Sequence, residues 1–138
     1  MMLGSLQEQF GEAIHSAAEV GRELRACVSP TSLAAVCRFC KDSGFNYPAD
    51  ITAVDTGSEL RVVYRLVSLT TDKHIVISVN LPRTGARLPS ICEVYQGAEW
   101  PEREVYDLFG VRFEGHPDLR RILLTDDWEG YPLLKQGQ

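Results

Sequence analysis

The stretch LRVVYRLVSLTTDKHIVISVN, residues 60–80, decides the fold. Its first run alternates Leu60, Val62, Tyr64 and Leu66 with Arg61, Val63, Arg65 and Val67. Its second run puts Ile75, Ile77 and Val79 on one face. Alternation at period two sends successive side chains to opposite sides of an extended chain, so each run predicts a strand. Thr71-Asp72-Lys73 between them has turn chemistry and predicts an antiparallel connection. Residues 51–55 add a short third strand, and the three together predict an antiparallel meander.

Upstream, residues 22–28 read as another short strand. SPTSLAAVCRFCKDSG, residues 29–44, places Leu33, Val36, Cys37 and Cys40 at i, i+3, i+4 and i+7, one face of a helix. Ser and Thr stand where they can cap it and Gly44 where it can stop. Leu3, Leu6, Phe10, Ala13, Ile14 and Ala17 lie near helical spacing, which predicts a helix over residues 3–18. Downstream, residues 81–89 read as a loop bounded by prolines. Ser90 and Glu93 have capping-box spacing and open a helical turn. Pro101 suits the first turn of a further helix, which Gly110 ends. Beyond Gly115 the chain reads as irregular and extended.

The order β-α-β-β-β-α with a trailing arm predicts an α+β fold: a small, mostly antiparallel sheet packed with helices, with an extended C-terminal arm. A chain of 138 residues, 44% hydrophobic and 24% charged, fits a single domain over 1–138. Within it we expect an N-terminal helical segment (1–20), an α+β core (21–97), and a helix with an interaction arm (98–138). The longest charge-free run, residues 26–37, falls short of the roughly twenty residues a membrane-spanning helix needs. No basic-then-apolar signal pattern opens the chain. Four cysteines in such a chain predict free thiols in a reducing compartment. A net charge of −5 implies no general attraction to nucleic acid or anionic lipid.

That negative charge is not spread evenly. Residues 93–138 carry ten acids against five bases, while residues 1–92 carry nine of each. The same C-terminal region is dense in Trp, Tyr, Phe and Arg, the side chains that anchor interfaces because they bury large area at modest entropy cost. Other chemistries fit less well. Cys37 and Cys40 sit in mid-helix on an apolar face, away from the helix N-terminus that activates a dithiol, so they read as core. Cys27 and Cys92 do not complete the spacing of an iron–sulfur ligand run. Gly110 and Gly115 have phosphate-loop spacing, but His116 and Pro117 stand where Lys and Ser or Thr are needed. Glu102, Glu104, Asp107, Asp118, Asp126 and Asp127 alternate with Arg103, Arg112, Arg120 and Arg121. That pattern favours a lattice of bidentate Arg–carboxylate bonds pinning an irregular arm over acid–base catalysis.

Glu102-Arg-Glu-Val-Tyr-Asp-Leu-Phe-Gly110, then Gly115-His-Pro-Asp-Leu-Arg-Arg-Ile-Leu-Leu124 and Asp127-Trp-Glu-Gly130, resembles the signature of the respiratory complex I 30-kDa subunit family. Asp50-Ile-Thr-Ala-Val-Asp55 and Leu66-Val-Ser-Leu-Thr70 resemble the same family, so the likeness covers most of residues 22–133. It implies a peripheral-arm subunit of a membrane-bound, ion-translocating NADH:quinone oxidoreductase on the cytoplasmic side, attached to the membrane only through the complex. It implies no cofactor on this chain: iron–sulfur clusters, flavin and quinone are expected in partner subunits. The expected partners are the large hydrogenase-like subunit that helps form the quinone site and the iron–sulfur subunits of the arm. The partner-binding residues it implies are Glu102, Arg103, Glu104, Tyr106, Asp107, Phe109, Gly110, His116, Asp118, Arg120, Arg121, Asp127 and Trp128.

The sequence departs from the family pattern at Thr125, where Pro is usual, at Tyr131, where His is usual, and at Leu134-Lys-Gln-Gly137. It stops at Gln138, so docking through a long tail is not expected. Two alternatives stay open. One is the equivalent subunit of an energy-converting membrane hydrogenase or a cofactor-F420-type dehydrogenase. The other is a stand-alone metal-dependent enzyme using His116, Asp118 and Asp127.

Overall fold

The structure, a computed structural model, describes residues 2–119. The two alternating runs form strands β4 (Leu60–Val67) and β5 (His74–Leu81), paired antiparallel with Tyr64 opposite Ile77 and Val62 opposite Val79. Their turn closes on Asp72, whose φ of 61° is a left-handed conformation that Asp tolerates better than most residues. Strand β3 (Tyr47–Asp55) pairs antiparallel with β4 and is longer than the expected 51–55, because a bulge between Pro48 and Asp50 lets pairing continue past the proline. Strand β2 (Glu23–Val28) joins the other side of β5, and it does so in parallel. The meander is therefore part of a mixed five-stranded sheet.

The fifth strand corrects the expected N-terminal helix. Helix α1 covers only Met2–Phe10, a single 3-10 turn follows at Gly11–Ala13, and Ile14–Val20 is strand β1. Gly11, at φ 48°, takes the chain out of helical geometry. Beyond it, β1 gains an antiparallel ladder with β2, from Ala17 opposite Ala26 to Val20 opposite Glu23. Gly21, at φ 61°, occupies the first of the two loop positions that join them, where a two-residue hairpin favours glycine. Pairing across a sheet outweighs a modest helical periodicity. The spatial order is β1-β2-β5-β4-β3.

One face of this sheet is covered. Ala26, Ile77, Tyr64 and Ile51 stand in line across four strands, flanked by Leu24, Ile75 and Leu66. All seven are buried. Helix α2 (Leu33–Asp42) lays Leu33, Val36, Cys37 and Cys40 on this core, each fully buried. No side chain caps α2; it grows out of a 3-10 turn, Pro30–Ser32. Its end is a Schellman motif. The Phe45 N–H reaches Cys40 O (3.0 Å) and the Gly44 N–H reaches Lys41 O (3.0 Å), with Gly44 at φ 102°. Burial raises the Cys37 thiol well above its ordinary range and Cys40 to about 12, so both pack as small hydrophobes.

The C-terminal part lies on the same side. The expected loop 81–89 ends in a short strand, β6 (Arg87–Pro89), which pairs in parallel with β7 (Arg112–Glu114). Three residues are too few to show alternation. Between them helix α3 (Glu99–Phe109) packs beside β3 and stops at Gly110, whose φ is 82° and whose N–H reaches Tyr106 O at 2.9 Å. Residues 91–95 form a turn fixed to α2 and to the segment just after it: Lys41 Nζ donates to Val94 O (2.7 Å) and the Tyr95 hydroxyl to Phe45 O.

Candidate functional site

Helix α3 carries the densest cluster of the expected site residues, and it buries charge. Glu102 and Asp107 have no exposed surface, and Arg103 has 6%. A charge taken out of water is tolerated only when other groups replace the lost solvation. For Glu102 those groups come from the turn before α3. The Ser90 hydroxyl donates to one carboxylate oxygen (2.6 Å), the Ile91 N–H to the other (2.9 Å), and the Cys92 thiol to the first (3.3 Å). The capping box expected between Ser90 and Glu93 does not form. Glu93 is exposed, and the Ser90 hydroxyl is held by Glu102 from another element. Burial raises the Glu102 carboxyl above its ordinary value, and its three hydrogen bonds only partly oppose that. Cys92, pushed to about 12 chiefly by burial, stays a thiol donor.

His116 closes the cluster from the far end of β7. Its Nδ1 accepts the Asp118 N–H (2.9 Å), so the proton sits on Nε2, which donates to Glu99 O (2.9 Å). That arrangement fixes a neutral tautomer with both ring nitrogens in use. Cys92, Glu102 and His116 bring three possible metal ligands within 4.8 Å of one another. The donor set does not fit a cation. Ligation through Nε2 would displace the bond to Glu99 O, and Nδ1 cannot take up the proton while the Asp118 N–H points at it. The cluster instead ties α3, the 90–92 turn and the segment after β7 into one unit.

Arg103 performs the pinning that the Arg–carboxylate pattern suggested. Its Nε donates to Asp118 O (2.6 Å), and a terminal nitrogen reaches Asp118 Oδ2 (2.9 Å) and Glu99 Oε1 (2.8 Å). The guanidinium also lies 5.9 Å from the Trp100 ring. Residues 116–118 are thus clasped to the first turn of α3. A bidentate Arg–carboxylate pair does form, at a place unforeseen from the sequence: Arg83 holds both carboxylate oxygens of Asp55 at 2.9 and 3.0 Å.

Of the residues expected to bind a partner, Glu102, Arg103 and Asp107 are buried within the chain, and the His116 side chain is fully covered. Phe109 is buried too, but it lines a depression beside α3. Gly110 supplies the turn. Glu104 and Tyr106 stay partly exposed, Asp118 is exposed, and Arg112 lies 5.8 Å from the Tyr106 ring. Arg120, Arg121, Asp127 and Trp128 lie outside the described residues.

The surface that α3 does offer is a shallow, mainly apolar depression of about 200 Å³ against β3, lined by Ile51, Thr52, Ala53, Glu104, Leu108 and Phe109 among others. Trp100 (54% exposed) adds a large exposed apolar side chain on α3, whereas Val54 and Tyr47 of β3, paired with Arg61 and Val67, lie on the other face of the sheet. Sequence reasoning missed the β3 contribution. Only the alternation of the strand marks its residues, and alternation does not say which helix lies beside them.

The family model for the respiratory-chain NADH dehydrogenase 30 kDa subunit matches residues 26–138. The NADH-quinone oxidoreductase subunit designated C in Geobacter metallireducens is 39% identical over 94% of this chain and 83% of its own length. Its counterpart in Geobacter sulfurreducens is 40% identical over the same shares. The Salinispora tropica counterpart is 39% identical over 91% of this chain and 54% of its own length. Among solved structures, a chain of an archaeal membrane-bound sulfane sulfur reductase aligns with a TM-score of 0.80 at 29% identity, covering 91% of this chain and 76% of that one. The trypsin-resistant fragment of Nqo5 aligns with a TM-score of 0.73 at 32% identity, covering 86% of this chain and all of the fragment.

Proposed function

The chain belongs to the 30 kDa subunit family of respiratory-chain NADH dehydrogenase, and from that premise we propose that it is a non-catalytic docking subunit of a membrane-bound NADH:quinone oxidoreductase. It binds the large hydrogenase-like subunit, supports assembly, carries no cofactor of its own, and reaches the cytoplasmic face of the membrane through the complex. The observation that carries this reading is the state of the charged side chains on α3. Those best suited to acid–base work are consumed by internal bonds, while the outward side of the helix and β3 presents an apolar depression with Glu104 on its wall. Apolar area with a few polar groups at its edge is what a stable protein interface needs. Among the described residues no helix is long and apolar enough to cross a membrane.

The chain tagged in its native cell and purified in mild detergent tests this. Recovery with a large hydrogenase-like subunit is the expected result, and Glu104→Arg, on the wall of the depression, should sharply reduce it while leaving melting of the isolated chain nearly unchanged. Full recovery by this variant would remove the α3–β3 depression from the interface. The likeness to the sulfane sulfur reductase chain favours one second reading, the same docking role in a respiratory complex with a different electron donor or acceptor. The co-purifying subunits separate the two.

A further inference from the structure

The sheet has a second face, and among the described residues no helix covers it. Strand register sets out what it displays. Arg25, Val76 and Arg65 stand opposite one another on three adjacent strands. Cys27, Ser78 and Val63 form the next row, and Asn80 and Arg61 the one after. The small side chains of the middle row, with Ser16 and Ala18 of β1 beside them, leave a depression of about 360 Å³. Its lining includes Arg25 and Arg61 and no carboxylate.

Both arginines have capacity to spare. Arg61 uses Nε for Asn80 Oδ1 (3.0 Å) and Arg25 uses Nε for Glu23. The terminal guanidinium nitrogens of both make no hydrogen bond among the described residues. Arg65, by contrast, is held by Glu23 at 3.1 Å and lies 3.3 Å from His74 Nδ1. Two open guanidinium forks around a floor of small and aliphatic side chains, on a chain of net charge −5, are a local reversal of sign. Forks of this kind match carboxylates bidentately.

The size of the face narrows the occupant. Strands of eight residues at ~3.3 Å per residue, five abreast at ~4.8 Å, present on the order of 500 Å², against about 800 Å² per partner in a standard interface. That suits an extended segment rather than a folded domain. An anionic membrane is disfavoured, because a surface arginine contributes only about 1 kcal/mol and the chain as a whole is repelled. Single-stranded nucleic acid is disfavoured as well, since the floor holds no aromatic ring for a base to stack on.

We propose that the open sheet face is a second docking surface that takes an extended, carboxylate-bearing segment of another protein subunit, so that the chain bridges two partners from opposite sides of its sheet. The inference rests on the reading that the chain works inside a complex. It is tested with photo-crosslinking residues placed separately at Ser78, on the open face, and at Leu108, beside α3, in complex purified from the native cell. The expected Ser78 adduct is a subunit segment with at least two carboxylates, different from the segment that Leu108 reaches. Arg25→Glu with Arg61→Glu should cut the Ser78 adduct by about tenfold or more and leave the Leu108 adduct unchanged, because reversing a contact charge weakens only the surface that uses it. Arg25→Gln with Arg61→Gln gives the same reading with a milder change. A Ser78 adduct to lipid, to a second copy of this chain or to a segment without carboxylates overturns the proposal. So does the absence of an adduct, or one that survives charge reversal, while the Leu108 adduct persists. Loss of both adducts in the unsubstituted chain overturns the docking reading as a whole.

Discussion

Two regions of the molecule are rich in charge and use it in opposite ways. Around α3, Glu102 and Asp107 have no exposed surface, and the Arg103 side chain is 8% exposed. On the open sheet face the Arg25 side chain is 69% exposed. Burial makes the difference. A desolvated charge must find its partners inside the chain, and once found they are no longer available to another protein. An exposed charge costs little to hold and keeps its bonding capacity, so it can serve recognition. Charged residue types in a sequence therefore do not reveal which of these tasks they perform.

The contrast can be broken most readily at Glu102. Glu102→Ala strips the acceptor from the Ser90 hydroxyl and the Ile91 N–H inside the molecule. Each buried donor left unmade costs roughly 1–3 kcal/mol, so a loss of about 3–5 kcal/mol is expected in urea unfolding. A loss below about 1 kcal/mol would mean that the network is not structural. Arg103→Ala should cost somewhat less, about 2–4 kcal/mol, since some of its partners remain in contact with water. It should also speed proteolysis within residues 115–119, which Arg103 clasps. Unchanged cleavage there would show that other contacts hold the segment.

A smaller effect sharpens the comparison through pH. Burial raises the Glu102 pKa above its ordinary 4.5, so the folded chain holds this proton more tightly than the unfolded chain does. Its contribution to stability therefore falls as pH rises through 4.5 towards the raised folded value, and is flat beyond it. Glu102→Gln cannot titrate. The stability of the parent chain minus that of the variant should decline across that window, and a rising difference would reverse the assigned direction. The smallest effect belongs to the open face. Arg25→Ala and Arg61→Ala should each shift unfolding by no more than about 0.5 kcal/mol, the usual range for exposed positions. A large loss there would make those arginines structural and erase the contrast between the two faces.

The strands of the meander were legible because alternation is local. Leu60, Val62, Tyr64 and Leu66 declare their buried face without reference to any other part of the chain. The same holds for Leu33, Val36, Cys37 and Cys40 on α2 and for Gly110 at the end of α3. Ile14–Val20 suggested a helix because Ala13, Ile14 and Ala17 suit a helix nearly as well as a strand, and only the presence of β2 alongside settles the choice. The β6–β7 pair was invisible, being three residues long and joined across more than twenty.

The site divides along the same line. The run Glu102–Gly110 points to the family through its residue types and their order, and the family model matching residues 26–138 bears that out. Which of those side chains point inward was not legible. Ser90 bonds Glu102 rather than reaching Glu93, Arg103 reaches forward to Asp118, and His116 folds back onto Glu99. The sequence carries periodicity and composition, which depend on neighbours a few residues away. Burial and bonding of charge depend on which distant segments come into contact, and those contacts exist only once the chain has packed.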